Sequence, residues 1–280
     1  MGRSLTVPTV VRRVVSLAPS ATEVLYAVGA GALVVGADKY SDFPAAVTTV
    51  EKVGADIDPS LERVLALRPD VVFAATTANN QRSVETMERI GLTVYVSHTS
   101  TLAEVIADLR QIADVTGHGS EGAQVAAGLE ARIAAVHSRV GTAPPTRSLV
   151  VVWPEPLTVA GGGSHVDELI RAAGGANVAA ASPQPYPNYS LERLLAQAPS
   201  VIVVGTHADA NLSVPASFRS LTTLPAVRDH RVHALDGDLL FRPGPRVVDG
   251  IERLAALLHP ELYPAASSTR AASRADGGAP

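Results

Sequence analysis

The sequence predicts an α/β protein built as two similar halves on either side of one long helix. Short apolar runs alternate with segments of helical period, the mark of parallel β-α-β units. Near the middle, Ser120 to Val140 has no strand signal and keeps Val125, Leu129, Ile133, Val136 and Val140 at helical spacing. The run Ser60-Leu61-Glu62-Arg63-Val64-Leu65-Ala66 returns 130 residues later as Ser190-Leu191-Glu192-Arg193-Leu194-Leu195-Ala196, and the match continues through Pro69/Pro199, Val71/Val201 and Thr76/Thr206. A fainter echo aligns Ser20–Gly31 with Ser164–Gly175, in the same order within each half.

The elements follow in order. Arg13 to Leu17 is a strand, after which Ser20-Ala21-Thr22-Glu23 reads as a capping box opening a helix that stops near Gly29. A strand at Leu33–Gly36 leads into a turn-rich stretch through Pro44. Ser60 opens a helix that ends before Pro69, and Asp70–Ala75 is a buried strand. A helix over Arg82–Ile90 stops at Gly91, and Thr93–Ser97 is a strand. Thr101-Leu102-Ala103-Glu104 is a second capping box, opening a helix to about Val115. The long central helix spans roughly 30 Å at 1.5 Å per residue. The linker Gly141 to Thr146 ends it, and the α/β pattern restarts with a strand at Ser148–Trp153. Helices at Ser164–Ala173 and Ser190–Gln197, strands at Val201–Gly205 and Arg231–Leu235, and a last helix at Arg246–Leu258 complete the second half. The domain expectation is an N-terminal lobe over 12–117, a connecting helix and linker over 118–145, a C-terminal lobe over 146–263 and a disordered tail over 264–280.

Composition narrows the function classes. The 280 residues carry 23 basic and 27 acidic side chains, 46% hydrophobic residues and 18% charged ones. That supports real cores and excludes a basic nucleic-acid binder. The longest apolar runs, such as Val201–Val204, are strand-sized, so no membrane span is expected. The absence of cysteine excludes disulfides, thiolate metal sites and a Cys nucleophile. Met1 to Val10 shows no secretory leader, so the reading is either a cytoplasmic chain or a trimmed, mature one.

Two lobes on one rod leave a cleft, and ligands of open α/β sheets sit beyond the carboxyl ends of strands. The loops there hold six of the chain's eleven aromatics (6 Tyr, 4 Phe, 1 Trp), which marks them as candidates for the ligand site. The candidate ligand-binding residues are Tyr40, Asp42, Phe43, Asn79, Trp153, Tyr186, Tyr189, Asp238, Phe241 and Arg242. The bland reading is that Tyr and Pro stiffen surface turns. Glu62 and Glu192 occupy equivalent first-turn positions, where a carboxylate complements the helix dipole with no other reason required. The alternative is a pair of acidic knobs that dock on a two-fold-symmetric partner.

Tyr40-Ser41-Asp42-Phe43-Pro44, Ser60-Leu61-Glu62-Arg63, Ala66-Leu67-Arg68-Pro69-Asp70, Ser16-Leu17-Ala18-Pro19-Ser20-Ala21-Thr22-Glu23 and Arg242 to Arg246 together resemble the periplasmic binding proteins of vitamin B12 ABC importers. The resemblance runs from residue 13 to about 260 and extends to the wider helical-backbone (class III) group, which also serves haem and ferric siderophores. It implies two Rossmann-like lobes joined by a single long backbone helix, no catalysis and no cofactor of the protein's own. It further implies a monomer outside the cytoplasm that holds a metal chelate, a corrinoid such as cobalamin first, between the lobes. A glutamate from each lobe, here Glu62 and Glu192, would meet the transmembrane dimer of an ABC importer. Tyr40 and Tyr186 fall where aromatic clamps are expected. Gly54-Ala55-Asp56-Ile57-Asp58 lacks a tryptophan some relatives have, and Ala75 replaces another large aromatic, which keeps other chelates open. A siderophore would want cations such as Arg82 and Arg242, and haem an axial Tyr186, Tyr189 or His207.

Enzyme and bare-metal readings are weaker. Gly161-Gly162-Gly163 completes neither a P-loop nor G-x-G-x-x-G. Ser164, His165 and Asp167 point different ways from one helical turn and make no relay. His230 and His233 sit three apart at a strand start, on opposite faces. His207 and Asp209 do not complete a ligand set, and His118, His137 and His259 read as solvated helix residues.

Overall fold

The computed structural model describes residues 5–206, 218 and 220–263; the tail at 264–280, together with His207 and Asp209, lies outside the described residues. In the first half, strands β1 (Val14–Ser16), β2 (Val34–Ala37), β3 (Glu51–Lys52), β4 (Val71–Ala75) and β5 (Val94–Ser97) form a sheet ordered β3-β2-β1-β4-β5. All four pairings are parallel. The order reverses between β1 and β4, the switch point at which such sheets open a crevice. Helices α1 (Pro19–Ala27), α2 (Leu61–Ala66), α3 (Gln81–Arg89) and α4 (Leu102–Val115) connect these strands and lead out of the sheet. Every residue of β4 is buried, as expected for a parallel strand covered on both faces.

The long helix is α5 (Gly119–Val140), 22 residues in one run. Its buried face is Gly122, Ala126, Leu129, Val136 and Val140, and of the stripe read from the sequence Val125 and Ile133 are partly buried at its edge. The rod is not free-standing. Leu109 and Ile112 of α4, Leu129 of α5 and residues of the second half such as Ile170 and Ile251 belong to one continuous apolar core. A Cβ on Gly122 would meet the Cβ of Ala113 at 2.3 Å, so only glycine lets α4 and α5 approach this closely.

The second half repeats the plan around β6 (Thr146–Pro154), with β7 (Leu157–Val159), β8 (Gly175–Asn177), β9 (Val201–Thr206) and β10 (Val232–Asp236). The order is β10-β9-β6-β7, with β8 pairing in parallel with the start of β6 while β7 folds back antiparallel on its end. Helices α6 (His165–Ala172), α7 (Leu191–Gln197), α8 (Pro225–Arg228), α9 (Asp238–Phe241) and α10 (Val247–Leu258) complete it. Among the described residues no strand of either sheet comes from the other half, so the fold is two Rossmann-like lobes on a backbone helix.

The 130-residue repeat extends to backbone detail. Ser60 and Ser190 each cap their helix by accepting from the backbone N–H three residues on, that of Arg63 or Arg193. Both helices end on a left-handed residue just before proline, Arg68 (φ 45°) and Ala198 (φ 44°). The second capping box forms as read, with Thr101 and Glu104 satisfying each other's backbone. The first does not. Pro19, preset for the first helical turn, starts α1 two residues early, and Ala18 at the cap position makes no side-chain bond. Ser20 is then inside the helix, and Glu23 turns to partners in the other lobe. Strands β3, β7 and β8 are two or three residues long, too short for periodicity to mark.

Candidate functional site

Loops leaving the carboxyl ends of strands in both lobes surround a hollow of about 260 Å³. Pro19, Ser20, Tyr40, Asp56, Thr77 and Ala78 line it from the first lobe, and Gly237, Asp238, Phe241, Arg242 and Pro243 from the second. A Cβ on Gly205 would lie 2.3 Å from the Phe241 ring, and one on Gly237 3.1 Å from it. Two glycines at the ends of β9 and β10 thus make room for this aromatic at the cleft wall.

Beneath the hollow an ionic cluster ties the lobes together. Arg246, at the start of α10, donates from Nε and Nη2 to both oxygens of Glu23 on α1, at 2.9 and 2.6 Å. Arg242 meets Asp42 at 2.6 Å and Asp238 at 2.9 Å, and lies 3.7 Å from Glu23. Its Nη2 also donates to the Tyr40 carbonyl at 3.4 Å. The Arg246 guanidinium sits 4.1 Å over the Phe43 ring. The Glu23 side chain is 2% exposed against 16% for Arg246, so the desolvation cost falls mainly on the acid. Burial pushes the Glu23 carboxyl up, outweighing the hydrogen bond and charge of Arg246. Burial works the same way on Asp42, but there the Arg242 bond and charge prevail and hold the carboxyl below its usual range. The loop carrying Tyr40, Asp42 and Phe43 is itself fixed. Tyr40 N–H donates to buried Asp38 at 2.8 Å, the Ser41 hydroxyl donates to the same carboxylate, and Thr22 of α1 joins Ser41 at 2.8 Å.

A second arrangement orients Tyr186. His165 Nε2 lies 2.7 Å from the Leu240 carbonyl and must be the protonated nitrogen, leaving Nδ1 to accept from the Tyr186 hydroxyl at 3.1 Å. Burial lowers the His165 pKa and raises that of Tyr186 to about 12, so both are neutral near pH 7. The chain Tyr186–His165–Leu240 ends next to Phe241 on the cleft wall.

Of the ten candidate ligand residues, Tyr40, Asp238, Phe241 and Arg242 line the hollow and Asp42 is bound to Arg242 at its edge. Tyr186 is exposed on a second-lobe loop and Trp153 near the end of β6. Phe43 lies under Arg246 and faces a larger hollow of about 830 Å³ that runs between α5 and α10. In that hollow Arg132 is paired with Asp249 and Glu252 at 2.5 and 2.7 Å, and the wall follows the two helices, meeting a strand end at Asp236. Two further candidates are buried away from the hollow. Tyr189 is 4% exposed in the second-lobe core with Arg193 over its ring, so it supports packing. Asn79 is 8% exposed and spends its side chain on Leu17, Asp56 and the Ala75 N–H. It fastens the loop after β4. His259 is buried too, facing the Gly174 carbonyl at 3.0 Å, and is not a solvated helix residue. No group of three metal-ligating side chains occurs among the described residues.

The residues that sequence reasoning missed are Glu23, Arg246 and His165. Glu23 had one signal, a charge within the apolar face Ala21, Val24 and Leu25 of α1, and a capping role absorbed it.

Glu62 and Glu192 are exposed in the first turns of α2 and α7, and neither has an ion pair among the described residues. Helices that return to a parallel strand begin at the carboxyl edge of the sheet, so both glutamates lie toward the rim that bears the cleft loops. Leu65 stands exposed near one, and Leu191 and Leu195 near the other.

The profile of the family described as periplasmic binding protein matches residues 14–239. A vitamin B12-binding protein of Vibrio cholerae serotype O1 is 31% identical over 251 residues, 90% of this chain and 90% of the relative. Among solved structures, the periplasmic vitamin B12 binding protein of Vibrio cholerae superposes with a TM-score of 0.80 at 30% identity, covering 89% of this chain and 97% of the other. A periplasmic haem-binding protein from Roseiflexus sp. RS-1 gives 0.80 at 27% identity, covering 90% and 99%.

Proposed function

The chain belongs to the periplasmic binding protein family, whose members capture substrates and do not transform them, and we propose that it binds a corrinoid between its lobes. One observation carries this reading. A chain similar over nine-tenths of its length to vitamin B12-binding proteins presents Tyr40 and Phe241, one from each lobe, to the same hollow. Aromatic rings from both lobes suit a planar macrocycle, and the carboxylates and backbone carbonyls around them suit its peripheral amides. The shared core through α4, α5, α6 and α10 resists wide lobe motion, so capture calls for a small hinge only.

The same reading makes the protein an extracytoplasmic component that delivers its ligand to an ABC importer. Glu62 and Glu192 would be the contacts, one per lobe, and a two-fold-symmetric permease accounts for two copies of the same Ser-Leu-Glu-Arg face. No described helix is long and apolar enough to cross a membrane.

Calorimetric titration with cyanocobalamin, haemin and zinc tests the ligand. Saturable one-to-one binding of cyanocobalamin alone is expected, and a response confined to zinc or haemin ends the corrinoid assignment. Charge reversal at Glu62 and Glu192 should leave cyanocobalamin affinity unchanged while abolishing uptake by the cognate transporter. Loss of ligand binding in that variant would contradict the docking role.

A further inference from the structure

We infer that the cleft discriminates by charge, admitting a chelate of zero or positive net charge and turning away one whose peripheral arms end in free carboxylates. The inference rests on the inter-lobe binding reading above and adds the chemical class that the site selects.

Both guanidinium groups at the cleft are already engaged. Arg246 gives its Nε and Nη2 edge to Glu23 and the face of its guanidinium to Phe43. Arg242 gives Nη1 to Asp42, Nε to Asp238 and Nη2 to the Tyr40 carbonyl. A ligand carboxylate would have to displace one of these oxygens before it met a bidentate donor. The two arginines face three carboxylates, those of Glu23, Asp42 and Asp238, so the cluster is negative after pairing.

The surroundings do not reverse that sign. Asp236, at the end of β10, adds a further negative charge acting on Asp238 and Arg246. Asp56 on the first-lobe wall is offset by Lys39, whose ammonium rests 4.6 Å over the Tyr40 ring. Buried Asp38 is offset by Lys52, which donates to the Ser41 carbonyl at 2.6 Å. Asp56, Asp238 and Arg242 line the hollow itself, and with the charges behind them the named groups are six carboxylates and four cations. Burial keeps the Asp238 carboxyl above its usual range despite Arg242, and Asp236 and Asp42 add to the effect. An incoming anion would add to the excess of carboxylates that already face Arg242 and Arg246. Carboxamide N–H groups or a net positive charge would relieve it.

The test compares one macrocycle in two charge states. Cyanocobalamin and its derivative with a single peripheral amide hydrolysed to a carboxylate are titrated into the full chain by calorimetry at low and high salt. The carboxylate form should bind roughly tenfold more weakly at low salt, with the gap shrinking as salt screens it. Asp42→Asn frees one edge of Arg242 at a half-exposed position and should narrow the gap. Equal or tighter binding of the carboxylate form by the wild-type chain overturns the inference. If neither corrinoid binds, the corrinoid reading fails by itself, and haemin against its dimethyl ester decides the charge question. Tighter binding of the ester upholds it. Equal or tighter binding of haemin, or binding of neither, overturns it.

Discussion

The two members of the cross-lobe pair Glu23–Arg246 should respond unequally to mutation. The acid is 2% exposed and the arginine 16%, so the desolvation cost belongs chiefly to Glu23, and Arg246 is what offsets it. Replacing the acid by its neutral isostere, Glu23→Gln, removes that cost together with the attraction. Because the folded carboxyl lies above its usual range, the change should shift stability by less than about 1 kcal/mol at pH 7. Arg246→Met leaves a buried carboxylate with only Arg242, 3.7 Å away, for compensation. Breaking a buried pair in this sense costs about 3 kcal/mol or slightly more. For a chain of this length that is roughly 6–12 °C in the thermal midpoint. The sign of the pH dependence follows. With Arg246 gone the folded Glu23 pKa rises further above its unfolded value, so the stability linked to its protonation is fully present below about pH 4.5 and is lost as pH rises. Urea unfolding followed by circular dichroism at pH 5 and pH 8 reads the effect. Arg246→Met should approach the wild type at the acid end, and adding Glu23→Gln should recover most of its loss at pH 8. Equal losses for the two single variants, or a pH-independent loss for Arg246→Met, would refute the argument.

Other outcomes follow from local geometry. Ala198 ends α7 in the left-handed region at φ 44°, where a Cβ is costly, so Ala198→Gly should raise stability by about 0.5–1 kcal/mol in the same unfolding assay; a loss would show that the position is not strained. Burial holds His165 below its ordinary pKa, so its contribution is present above about pH 6.5 and is lost as pH falls through its lowered folded value. The stability advantage of the wild type over His165→Gln should therefore shrink between pH 7.5 and pH 5, and parallel curves would contradict the assignment.

The architecture was legible because it rests on repetition and period. The apolar stripe of α5 and the paired Ser-Leu-Glu-Arg helices are patterns within short windows, and local physics turns them into elements directly. The cleft was legible only in part. Tyr40, Asp238, Phe241 and Arg242 reach it because they sit in the segments that follow strand ends, a rule that applies before any coordinates are known. Tyr189 and Asn79 obey the same rule and fail it, since loop membership does not say which way a side chain turns. Core space drew in one, and unsatisfied backbone groups held the other.

From sequence alone came the class of fold, the duplication, the long helix and the two exposed glutamates, all consequences of residues near one another along the chain. The tertiary structure decided that Glu23 serves the opposite lobe and not its own helix cap, through partners 219 and 223 positions away in Arg242 and Arg246. It also decided that both cleft arginines are occupied. Charges brought together by folding neutralise one another according to distance and burial, and a linear order of residues records neither.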